Sequence, residues 1–223
     1  MMDHDIREAV LHLDPLRSVV KTELIQRDGT CIVKHIPGDA LVDELKSHTH
    51  IAPMHTGLLP PGIVALTAYR DGWDVTLENV TDRCTVYYHK TVYPDFPLPH
   101  LLLRCKAKNG VLNGFHLAVA EIGSLTPDTK LYQCPFPNVS GFSLCVGTNQ
   151  FTGYDTLWKL RGLMHRVLSL PFGDDYYKPG CTRLELSARD LFEHLKDKEP
   201  SYYYSDVLIP IGKTLTDFIR GGV

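Results

Sequence analysis

The run Phe136-Pro137-Asn138-Val139-Ser140-Gly141-Phe142-Ser143-Leu144-Cys145-Val146-Gly147 stands where one kind of sequence pattern gives way to another. Pro137-Asn138 is a turn signal. Seven residues past Asn138 comes Cys145, on a short apolar stretch bracketed by Gly141 and Gly147. Such an arrangement suits thioester chemistry. A thiol that exchanges acyl groups must be accessible and uncrowded, small neighbours leave room for a bulky partner, and a nearby amide can donate to the oxyanion formed on attack. Asn138 is the amide the spacing offers. It reads equally as a turn residue bonded to its own backbone. An arbitrary cysteine on an apolar strand is more often a core residue.

Upstream of this run the patterns are β-like. Ile63 to Tyr69 and Trp73 to Glu78 flank Arg70-Asp71-Gly72, a hairpin signal. Cys84 to His89 forms a further strand. Tyr93-Pro94-Asp95-Phe96-Pro97-Leu98-Pro99 enforces an extended path. Leu101 to Lys106 and Gly114 to Ala120 form another hairpin around Asn109-Gly110. Nearer the N-terminus, extended runs over Val10 to Val20 and Thr22 to His35 meet at Arg27-Asp28-Gly29, and a short helix covers Ala40 to Ser47. His48 to Pro61 reads as a loop.

Downstream the spacing turns helical. Leu157, Leu160, Leu163, Met164 and Val167 predict a helix over Asp155 to Leu168. Ser187-Ala188-Arg189-Asp190 resembles a capping box and opens a second helix, stopped by Pro200. Thr214 to Arg220 forms a last one, ended by Gly221-Gly222. Strands before helices give an α+β class: an antiparallel meander, an irregular active-site segment, then C-terminal helices.

At 223 residues, one domain with elaborations is the expectation. Residues 1–50 would be an N-terminal β/α elaboration, 58–170 the core and 171–223 the helical part. A net charge of -3 gives no electrostatic case for nucleic acid. The clusters Tyr176-Tyr177 and Tyr202-Tyr203-Tyr204 lack the Lys/Arg interleaving that phosphate contacts need. No apolar run approaches the ~20 residues of a membrane span, and the acidic N-terminus lacks a signal-peptide core. No two of the six cysteines are closer than eleven positions, so there is no Cys-x-x-Cys pair and neither zinc nor dithiol redox chemistry is indicated. A cytoplasmic protein without disulfides, cofactor or metal is the expectation.

The residues around Cys145 carry a resemblance. Phe136-Pro137-Asn138 through Cys145 resembles the active-site signature of ubiquitin-conjugating (E2) enzymes: His-Pro-Asn, a turn, a Gly, then Cys between apolar residues. Tyr93 to Pro99, running into Leu101-Leu102-Leu103-Arg104, resembles their Pro-rich segment. Leu59-Pro60-Pro61, Thr126-Pro127-Asp128-Thr129-Lys130-Leu131-Tyr132, Pro135, Asn138-Val139, Gly141 and Cys145-Val146-Gly147 are similar to the prokaryotic E2 family D, the group that includes PRTRC-system protein B. The resemblance spans about residues 58–150. It implies a UBC-like fold and acyl transfer through Cys145. It also implies an E1-like (ThiF-type) adenylating enzyme and a ubiquitin-like modifier as partners, with a JAB-type peptidase in the same system. The chain departs from the pattern in three ways. Phe136 replaces the His, the Asn-to-Cys interval is one residue shorter than in typical eukaryotic members, and about forty residues separate the Pro-rich segment from Asn138. The last implies an inserted hairpin before the active-site segment.

Other residues compete for roles. Asp155, Asp174 and Asp175 are carboxylates that could orient or deprotonate an incoming amine; Asp155 reads equally as a helix N-cap. His48, His50 and His55 have the density of a zinc site, against a plainer reading as a polar loop. Cys134, with His116 or His165, could form a cysteine hydrolase pair. Arg220-Gly221-Gly222 resembles the tail of a ubiquitin-like protein but reads more simply as a helix end. An inert E2-like scaffold is the remaining alternative.

Overall fold

The computed structural model describes residues 6–14, 17–48, 56–69 and 71–221. The chain divides into two compact units, Met1–His55 and Thr56–Val223.

In the first unit, β1 (Ile6–His12), β2 (Val19–Gln26) and β3 (Cys31–Pro37) form an antiparallel sheet, and α1 (Gly38–His48) packs against β2 and β3. Where two extended runs were expected there are three strands, because the first run breaks between His12 and Val19. The Asp28-Gly29 turn joins β2 to β3 as its chemistry dictates. Gly29 takes a φ of 88°, and Asp28 Oδ1 accepts the Thr30 N–H at 2.8 Å.

The second unit is mixed α+β with antiparallel pairing. Its main sheet follows a meander of β4 (Ile63–Tyr69), β5 (Gly72–Glu78), β8 (Leu101–Lys108) and β9 (Val111–Ala120). It continues through the short strands β12 (Ser143–Leu144) and β11 (Val139–Ser140). Beyond the other end of β9 lie β10 (Lys130–Tyr132) and β13 (Pro210–Thr214). Between β5 and β8 the chain leaves the sheet to form a separate hairpin of β6 (Arg83–Tyr88) and β7 (Thr91–Pro97). The β8–β9 hairpin forms the middle of the sheet. Its turn is of type I′, with Asn109 and Gly110 at φ of 50° and 75°. At the start of β5, Gly72 is required by close approach: a Cβ there would meet the Ala107 carbonyl oxygen at 1.8 Å.

Alternation along β8 and β9 separates two cores. Leu101, Leu103 and Cys105 join Phe115, Leu117 and Val119 on one face. Leu102, Ala118 and Ala120 point to the other. The larger core is covered by the β6–β7 hairpin, α2 (Leu163–Leu168), α3 (Ala188–Leu195) and a π-helical turn at Tyr203–Val207. The smaller is covered by Phe142 and by α4 (Leu215–Arg220), whose Phe218 ring lies 5.1 Å from that of Phe142.

The helical half is more broken than its sequence periodicity suggests. The helix expected over 155–168 is a 3-10 turn, Leu157–Leu160, followed by α2. Gly162, left-handed at φ 78°, interrupts it, yet Leu157, Leu160, Leu163 and Val167 are all buried. The periodicity reports burial, and burial survives the break. α3 is capped by Ser187, whose side chain accepts the Asp190 N–H. α4 carries a full capping box, Thr214 with Asp217, and ends on Gly221 at φ 73°. Among the described residues no helix is long and apolar enough to cross a membrane.

Candidate functional site

Residues 136–147 fold into a hairpin at one edge of the main sheet. Val139 pairs with Leu144 and Ser140 with Ser143. Gly141, at φ 58°, is the first residue of a two-residue loop, the position a type II′ turn reserves for glycine. The ladder runs one pair further: the Cys145 N–H donates to the Asn138 carbonyl oxygen at 2.8 Å. Asn138 and Cys145 therefore face each other across two strands.

Beyond Cys145 the chain leaves the sheet. Val146 to Asn149 forms a turn held by two bonds to the Val146 carbonyl oxygen, from the Asn149 backbone at 3.3 Å and its side chain at 2.8 Å. The chain returns to β9 at Phe151, whose carbonyl oxygen accepts the Leu112 N–H. Cys145 thus sits at the root of a protruding turn, with Leu144 buried before it and its own residue exposed.

Exposure separates the six thiols. Cys145 and Cys31 are exposed; Cys105, Cys134 and Cys181 are buried and Cys84 is half-buried. Burial pushes the thiols of Cys105 and Cys134 up to about 12 and that of Cys84 up to about 11. Cys134 is therefore a core residue with almost no thiolate at neutral pH. Among the described residues neither His116 nor His165 is hydrogen-bonded to a thiol; His116 Nδ1 lies 2.8 Å from the Gly114 carbonyl oxygen. A native-state alkylation experiment should label Cys145 and Cys31 rapidly, and the other four only on unfolding. Mass mapping that found Cys134 among the fast thiols would contradict this packing.

Asn138 adopts a φ of 66°, a left-handed conformation that asparagine tolerates better than most residues. Both ends of its side chain reach across to one segment. Nδ2 donates to the Pro171 carbonyl oxygen at 3.2 Å, and Oδ1 accepts the Gly173 N–H at 3.0 Å. The residue between them, Phe172, is fixed from the other side by β6: its N–H donates to Tyr87, and its carbonyl accepts the His89 N–H, each at 2.8 Å. Asn138 thereby anchors the 136–147 hairpin to the β6–β7 hairpin through residues 171–173. One Nδ2 hydrogen is left after the Pro171 bond.

The three downstream carboxylates part company. Asp155 pairs with Lys159 at 2.7 Å, which holds its carboxyl below the usual range. The N-cap position of the following 3-10 turn belongs to Thr156, not Asp155. Asp155 also backs onto Gly110, just before the first residue of β9. Asp174 follows the Gly173 that Asn138 holds. It accepts from Tyr88 Oη at 2.5 Å and lies 2.9 Å from His89 Nε2, and these two bonds, Tyr88 first, hold its carboxyl low. Asp175 is exposed. Tyr88 and His89 end an ordinary-looking strand, and nothing local marks them out until Asp174 folds back onto them.

The histidine cluster lies outside this description: His50 and His55 are not among the described residues, and nothing is described of the His48 side chain. Among the described residues no group of three or more His, Cys, Asp or Glu has the arrangement of a metal site.

No family model matches the chain, and neither a curated protein nor a solved structure matches it.

Proposed function

We propose that this chain is an E2-like acyl carrier of UBC-like fold, acting in the cytoplasm, with Cys145 as the carrier thiol. The observation that carries the reading is the pairing of an exposed cysteine with Asn138 across a glycine-turned hairpin, at the root of a turn with space around it.

Cys145 as thiolate attacks the carbonyl carbon of a thioester held by an E1-like, ThiF-type enzyme. A new C–S bond forms, the donor C–S bond breaks, and the donor leaves as thiolate. The C-terminal carboxyl of a ubiquitin-like modifier is then a thioester on Cys145. An amine attacks that carbonyl, a C–N bond forms, Cys145 leaves as thiolate, and the proton lost by the amine goes to solvent or to a nearby carboxylate. The steps use no metal or cofactor on this chain, because ATP is spent by the adenylating partner. Asn138 donates its remaining Nδ2 hydrogen to the oxyanion of each tetrahedral intermediate. Asp174 suits electrostatic guidance of an incoming ammonium better than deprotonation, since Tyr88 and His89 lower its proton affinity. A JAB-type peptidase would release the modifier again.

The test is incubation with the cognate adenylating enzyme, its modifier and ATP, read on a non-reducing gel. A dithiothreitol-labile adduct of the chain plus modifier is expected, absent in Cys145→Ala and replaced in Cys145→Ser by a reductant-stable ester or by nothing. No labile adduct, under conditions where the adenylating enzyme itself is charged, would overturn the reading in favour of a scaffold that only binds these partners.

A further inference from the structure

Past the C-terminal end of β9, four segments enclose a groove of about 550 Å³: the Asn79–Asp82 loop, Leu98–His100, Ile122–Gly123 and Pro200–Tyr204. Leu98 and Pro99 in its lining are buried, whereas Val80 and Ile122 are 70% and 61% exposed. Both line the same groove, so their exposed apolar surface is gathered in one place rather than scattered singly over the surface.

Asn79 fixes the loop that carries Val80. Its backbone N–H donates to the Leu101 carbonyl oxygen at 3.1 Å, and its Oδ1 accepts the Leu101 N–H at 2.7 Å. Its Nδ2 donates to Thr81 and Pro99 carbonyl oxygens at 2.7 and 3.2 Å. On the other side, the Glu121 N–H donates to Lys130 at 2.9 Å and fixes the chain that leads to Ile122. The far wall is tied as well: Tyr204 Oη donates to the Ala120 carbonyl oxygen at 2.8 Å and accepts the His100 N–H at 2.9 Å. Tyr204 lies in the π-helical turn, a rare conformation that is frequent at functional sites. The groove is preorganised, so a ligand need not order it.

Its charge is one-sided. Asp82 lines it, Glu78 lies against the lining His100 with Oε2 2.8 Å from Nε2, and no lysine or arginine contributes to the lining. We infer that this groove binds an extended peptide segment of another protein, one presenting an apolar side chain beside a lysine or arginine. The apolar group would lie over Leu98 and Pro99 between Val80 and Ile122, and the cation would meet Asp82. This inference is independent of the acyl-transfer reading.

Fluorescein-labelled peptides of leucine, lysine and glycine, titrated into the full chain beside counterparts with glutamate at each lysine, provide the test. The lysine peptides should bind at least about tenfold more tightly, with amide shifts concentrated at residues 80–82 and 122–123. Val80→Ser combined with Ile122→Ser should weaken them at least about tenfold while leaving Tm unchanged, and Asp82→Asn should narrow the preference over glutamate. Cys145→Ser should bind as the natural chain does, so that failure here and failure of the thioester assay are separate results. Absence of binding, equal binding of both peptide sets, shifts confined to another surface, or indifference to the double variant would each refute the inference.

Discussion

Asp74→Asn or Arg104→Leu should each destabilise the second unit by about 3–5 kcal/mol, the range for stripping one partner from a buried ion pair. Both residues are 8% exposed. The pair is bidentate: Arg104 Nε donates to Asp74 Oδ1 at 2.9 Å, and Nη2 donates to Oδ2 at 2.6 Å. Arg104 also donates from Nη1 to the Phe218 carbonyl oxygen at 3.1 Å, in the last turn of α4. One guanidinium thus joins two strands and the helix that covers the smaller core. The single variants leave a charge in a place without water. The double variant Asp74→Leu with Arg104→Met removes both charges, and should recover most of the loss. Trp73 fluorescence followed through urea titration would measure all three. Single variants within about 1 kcal/mol of the natural chain, as for a surface pair, would show that the pair is not buried as described.

This ion pair also marks where the sequence stops being readable. Asp74 and Arg104 are thirty residues apart, and nothing local in either strand announces the other. What could be read was local chemistry. Asn109-Gly110 made its turn, Gly29 made another, and Thr214 with Asp217 capped α4, because each depends on a few adjacent residues. β13 was missed for the same reason: Pro210 and Gly212 are poor strand residues, tolerated because this strand lies at the sheet edge. The site divides in the same way. The opposition of Asn138 and Cys145 follows from a short hairpin and lay close to the surface of the sequence. The bonds from Asn138 to residues 171 and 173 span thirty-three and thirty-five positions, and the Asp174–His89 contact spans eighty-five. Those contacts decide which carboxylate stands near Asn138, and no spacing rule could supply them. The residue patterns announced the meander and the later helices, but not that β8 and β9 would be central and β6–β7 the hairpin outside the sheet.

Phe136→His should destabilise this chain by about 2–5 kcal/mol. Phe136 is 2% exposed. Its ring lies 5.6 Å from Phe172, 6.2 Å from Phe192, 6.3 Å from Tyr203 and 6.4 Å from Phe96, centroid to centroid. The Tyr203 hydroxyl already donates to the Pro97 carbonyl oxygen. An imidazole there would lose ring packing and bring an N–H and a lone pair into a phenyl-lined site. The penalty should also depend on pH, with a definite sign. Burial would hold the folded-state imidazole neutral, with its pKa below the unfolded value of about 6.5. Below that value the unfolded chain binds a proton that the folded chain refuses, so stability falls further as pH drops, by up to about 1.4 kcal/mol per unit. Urea titrations of the variant and the natural chain at pH 8 and pH 5.5 should therefore show a gap that widens in acid. A gap that stayed constant, or a variant as stable as the natural chain, would mean that residue 136 has a polar partner.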